Sequence, residues 1–138
     1  MNTCIVVADN SRARIFSSYA NFSHLNEEEG FVHEAAHLPN RELVGDAAGK
    51  SVDQHGSLDP ATSAREYESK AFAKLLVKHL KELHNREHYK NLVLVAPPRF
   101  LGLLRGELDS ALDKLVSKTI NKELTLCNVE ELVEHFKK

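Results

Sequence analysis

The stretch "NLVLVA", residues 91–96, constrains this chain most. Five apolar residues in six, closed by Pro97 and Pro98, leave no polar side for water. Such a run predicts a central strand covered on both faces, and helices must supply the covers. A second run, "TCIVVA" at 3–8, has the same character. Two such strands in 138 residues point to one layered α/β domain.

The segments between these runs supply the other elements. "DNS" turns the chain after the first strand, and "RARIFSSY" then alternates. Ala13 and Ile15 fall on one face, with Arg12, Arg14 and Phe16 on the other. "NEEEG" at 26–30 reads as a turn, and "FVHEAAHL" at 31–38 as the third strand. Residues 39–60 have little periodicity and form a long, glycine-bearing connection.

A long amphipathic helix follows. Asp59 is its expected cap and Pro60 its first residue. Tyr67 or Glu68 opens an inner face continued by Ala71, Phe72, Leu75, Leu76, Leu80 and Leu83. The lysines at 70, 74, 78 and 81 take the opposite, solvated side. After the 91–96 strand, one helix is expected from Pro98 to about Leu115, with Leu104, Leu108, Leu112 and Leu115 inward. "TINKELTL" reads as a strand. Asn128 and Glu131 form a capping signature before a last helix facing inward through Val129, Leu132, Val133 and Phe136. The predicted order is β-β-β-α-β-α-β-α, in a mixed sheet.

Composition excludes several classes. With 42% hydrophobic and 28% charged residues the chain is globular. A net charge of -2 disfavours a bulk polyanion binder, though not a local basic patch. No run is long enough to span a bilayer, so no membrane insertion is expected. The N-terminus reads straight into a strand without a leader pattern, and Cys4 and Cys127 sit in apolar runs as core thiols. Both features point to the cytoplasm.

Motif matches are incomplete. "GDAAGKS", Gly45 to Ser51, is one residue short of a phosphate loop. His84 and His88 have metal-ligand spacing at a helix end but lack the HExxH glutamate. No Ser-His-Asp order and no G-x-S-x-G elbow occurs. No catalytic residue, metal site or cofactor is assigned.

The site-like residues lie at strand ends. Ligands of open sheets bind beyond the carboxyl ends of the strands. If the 3–8 and 91–96 strands are parallel neighbours, "DNSR" and "PPRF" share a rim. Asp9, Asn10 and His55 are candidates for it. Arg12, Arg14, Lys50, Arg99 and Arg105 are candidates for binding an anion or RNA, because guanidinium forks match phosphates and carboxylates. Three uses follow from these residues: a non-catalytic binding or adaptor domain, a phosphate-ester hydrolase joining Asp9, Asn10, His55 and Arg99, or a protein-interaction module with an exposed apolar patch at Phe100, Leu101 and Leu103.

"VVADNSRARIF", "AGKSVDQHG", "FAKLLVKHL", "LVLVAPPRFLGLLR" and "KELTLCNVEELVEHF", taken in order, resemble the bacterial host-attachment protein family over essentially the whole chain. The matching positions are Asp9, Arg12, Ala13, Arg14, Gly49, Ser51, Pro97, Pro98, Gly102 and Arg105. The resemblance implies a relationship to the middle domain of archaeal and eukaryotic peptide-chain release factors, and a ribonuclease-H-like sheet. It also implies a role in host-cell attachment and a link to RNA, the ribosome or a protein partner, with self-association open. Release factors of that class use a Gly-Gly-Gln tripeptide, and this chain has none. Peptide release by that mechanism is therefore not expected.

Overall fold

The computed structural model describes residues 2–18, 24–33 and 60–137. A five-stranded mixed sheet has the order β3-β2-β1-β4-β5. Its strands are β1 (Thr3–Ala8), β2 (Arg12–Ser18), β3 (Asn26–Val32), β4 (Asn91–Val95) and β5 (Val116–Ile120). β2 pairs antiparallel with β1 and β3, whereas β1–β4 and β4–β5 are parallel. The helices are α1 (Pro60–Glu87), α2 (Pro98–Glu107), α3 (Ser110–Asp113) and α4 (Val129–Lys137).

Two-fold alternation divides the core between the sheet's faces. Cys4, Val6 and Ala8 join Leu92 and Leu94 under α1, α2 and α3. Ile5, Val7, Val93 and Val95 face the other way, against Leu132 and Phe136 of α4. All five residues of Leu92–Ala96 are fully buried, as a doubly covered strand requires. Each of its leucines and valines stabilises the fold by about 1.5–3 kcal/mol relative to exposure. Burial pushes the Cys4 thiol up to about 12, which leaves it an inert core group.

Four expected elements differ from the structure. β3 is "NEEEGFV", so the segment read as a turn is itself strand. Its glutamates find partners across the sheet and on α1, which local propensity does not register: Glu27 meets Arg14, Glu28 meets Ser17 and Glu29 meets His79. The register slips between Ile15 and Phe16, which pair with Glu29 and Glu27 and leave Glu28 bulged. Residues 34–38 of the expected strand lie outside the described residues.

The helix expected from Pro98 to Leu115 breaks at Leu108, whose backbone is extended. Asp109 then caps α3 by accepting from the Leu112 amide at 2.8 Å. The last strand starts at Val116, three residues before the predicted "TINKELTL", and ends at Ile120. Beyond it Glu123 accepts from the Thr125 amide and hydroxyl, which turns the chain toward α4.

α1 is rotated relative to the predicted face. Ala73 and Val77 are buried, while Tyr67 and Leu75 are exposed. The helix ends at Glu87, and His88 after it lies in the left-handed region with φ 52°. Asn128 and Glu131 make the reciprocal capping bonds at α4, 2.8 and 2.9 Å.

Candidate functional site

Parallel pairing of β1 with β4 sets Ala8 and Val95 at the same end of the sheet. The turn after β1 and the first turn of α2 therefore share a rim. α1 crosses the same end with Arg65 to Lys70. Asp9, Asn10, Ser69, Pro97, Arg99 and Glu123 are among the residues around a cavity of about 240 Å³ there. Asn10, Ser69, Arg99 and Leu103 also border a larger cleft of about 510 Å³, which Arg65, Glu66 and Lys70 complete.

Asp9 organises this rim. Its Oδ1 accepts from the Ser11 amide at 2.8 Å, the Arg12 amide at 2.9 Å and the Ser11 hydroxyl at 3.0 Å. Its Oδ2 accepts from the Thr125 hydroxyl at 3.2 Å, a hydroxyl that also meets Glu123 at 2.6 Å. Partial burial opposes charge on Asp9. The bonds from Ser11 and Arg12, with a side-chain hydrogen bond to Glu123, outweigh it and hold the carboxyl below its ordinary 3.8. A group held low stabilises the fold above the unfolded value and loses that contribution as pH falls through the folded one. Asp9→Asn keeps an acceptor and removes the titration. It is expected to cost about 1 kcal/mol at neutral pH and to flatten the loss of stability below pH 3.8. Urea melts across the acid range measure this, and an unchanged acid limb would contradict it.

The four candidate cations among the described residues, Arg12, Arg14, Arg99 and Arg105, do not form one surface. Arg99 lies at the rim, 81% exposed and 3.9 Å from Glu66. Arg14 is committed elsewhere. It donates to both Glu27 oxygens at 2.9 Å and to the carbonyls of Thr125 and Cys127. Arg12 shares with Arg14 a shallow groove beside Val32, Leu126 and Asn128. Arg105 meets Asp113 at 3.6 Å and borders neither rim cavity. Lys50, His55 and the Gly45–Ser51 motif lie outside the described residues.

Sequence reading missed Arg65, Ser69 and Lys70 because Lys70 counted only as part of a solvated helix face. The available signal is spacing: Arg65 and Ser69 are one turn apart, as are Glu66 and Lys70. Their placement depends on which end of the sheet α1 crosses. Glu123 was read as part of a strand. The expected apolar patch is also displaced. Phe100 is buried, and Leu101 and Leu103 pack against the core. Val32, Tyr67, Leu75 and Leu126 are the exposed large hydrophobic residues among those described.

Among the described residues no helix is long and apolar enough to cross a membrane. They also contain no group of three or more His, Cys, Asp or Glu side chains arranged to hold a metal.

A family described as "Protein required for attachment to host cells" matches residues 4–136. The chain is also similar to Uncharacterized protein RP470 of Rickettsia prowazekii (strain Madrid E), at 42% identity over 78 residues. That match covers 54% of this chain and 52% of the relative, so it spans about half the length of each.

Proposed function

This chain belongs to the family of proteins required for attachment to host cells, and from that premise we propose that the domain acts by binding. It is a non-catalytic adaptor that takes an anionic group at the rim shared by β1 and β4. The observation that carries this reading is the state of Asp9. A general base needs a carboxyl whose value is raised toward the working pH. Asp9 is held low, and Oδ1 already accepts three bonds. Arg99 in the same cavity, with Arg65 and Lys70 in the adjoining cleft, offers charge-assisted donors instead.

Under the release-factor relationship and ribonuclease-H-like fold that the resemblance implies, the anion is an RNA phosphate and the setting is cytoplasmic. Binding of a labelled RNA oligomer and of purified ribosomes should then weaken steeply between about 50 and 200 mM salt. Arg99→Glu should weaken both. Absent or salt-independent binding removes the RNA version. Capture of an acidic protein segment by the same rim, lost in Arg99→Glu, would support the adaptor reading through a protein partner.

A further inference from the structure

Resting on the binding reading above, we infer that the rim is a two-lobed site for a phosphorylated polyol. Such a ligand is a phosphate ester whose carbon skeleton carries hydroxyl groups. The two cavities differ in chemistry although they adjoin. In the cleft of about 510 Å³, Arg65, Lys70 and Arg99 face one carboxylate, Glu66. In the cavity of about 240 Å³ the balance reverses, with Asp9 and Glu123 beside Arg99. The first lobe suits a dianionic phosphate. The second presents carboxyl oxygens, which suit hydroxyl donors.

Shared residues join the lobes into one site. Asn10, Ser69, Arg99 and Leu103 border both cavities. Arg99 thus stands at the junction, where the ester oxygen of such a ligand would lie. Pro97 and Phe100 give the smaller lobe an apolar wall for a carbon skeleton. The Asp9 carboxylate is fixed there by Ser11 and Arg12, and Glu123 is fixed by Thr125. Acceptors held in place in this way cost little to order on binding. The larger lobe is within the size range of small-ligand pockets. A free sugar phosphate and a nucleotide share the required chemistry.

The test is calorimetric titration of the whole chain with ribose 5-phosphate, adenosine monophosphate, inorganic phosphate, ribose and a short RNA oligomer. At least one phosphorylated polyol should bind about tenfold or more tightly than inorganic phosphate, the worth of one hydrogen bond to a charged group. Preference for adenosine monophosphate over ribose 5-phosphate identifies a nucleotide, and the reverse a sugar phosphate. Arg99→Ala should weaken ester and inorganic phosphate alike by about tenfold. Glu123→Gln retains an acceptor for Thr125. It should remove the ester's advantage over inorganic phosphate, whose own binding should not weaken, because a nearby negative charge is lost. Circular dichroism of both variants checks that they are folded.

Equal binding of ester and inorganic phosphate, or an advantage that survives Glu123→Gln, overturns the two-lobed site and leaves an anion-binding rim. Arg99-dependent binding of the RNA oligomer alone overturns the inference and supports the broader reading. If none of the probes binds, the inference and the RNA version of the broader reading both fall, while the protein-partner version is decided by capture of an acidic segment.

Discussion

Leu94→Ala is expected to cost the fold about 2–5 kcal/mol. Leu94 is fully buried in β4, between β1 and β5, in the cluster that includes Leu76, Leu80 and Leu104. Truncation removes its transfer free energy and leaves a cavity. A sheet held by strands on both sides and helices above cannot collapse into that space. Domains of this size have total stabilities of about 5–15 kcal/mol, so the loss is a large share. Urea unfolding should show a lower midpoint with an unchanged slope. Leu126→Ala is the control. Leu126 is 80% exposed, and its truncation should stay within about 0.5 kcal/mol. Comparable losses at the two positions would contradict the doubly covered strand.

Arg14→Ala is expected to cost about 2–4 kcal/mol, because one guanidinium serves three partners. It forks onto Glu27 of β3 and donates to the carbonyls of Thr125 and Cys127 ahead of α4. Its removal leaves those carbonyls short of a donor and Glu27 without its counter-ion. Arg14→Lys should recover little, since an ammonium lacks the planar fork. The Arg14 hydrogen bond, opposed by partial burial, holds the Glu27 carboxyl below its ordinary 4.5. That contribution is present above 4.5 and lost as pH falls through the folded value, so the Arg14→Ala penalty should shrink in acid. Unfolding at neutral and acid pH measures both effects. A loss under about 0.5 kcal/mol at neutral pH would show that the pairs are surface contacts of little worth.

The best-read elements carried their information locally. β1 and β4 are runs too apolar to face water anywhere. α4 announces itself through its capping pair, and β2 through alternation from Arg12 to Ile15. Misread elements depended on distant partners. "NEEEG" has turn composition, and it is strand because Arg14, Ser17 and His79 satisfy its glutamates. The break at Leu108 had a local signal in Asp109, which a leucine repeat running to Leu115 obscured. Leu75 was assigned inward, and Tyr67 or Glu68 before it, because a helical wheel gives a period without its phase against the sheet.

The rim shows the same division at the level of a site. Asp9, Asn10 and Arg99 were legible because each follows an apolar strand, and the carboxyl ends of parallel strands meet. Arg14 looked equally available in sequence, and its side chain is instead consumed by Glu27 and two carbonyls. Arg65, Ser69 and Lys70 join the rim only because α1 crosses that end of the sheet. Hydrophobic period and capping chemistry act over a few residues, so the chain by itself determined β1, β2, β4, the last helix and the two turns of the rim. Side-chain charge finds its partner through space, so only the tertiary structure decided which cations are spent inside the fold and which face the cleft.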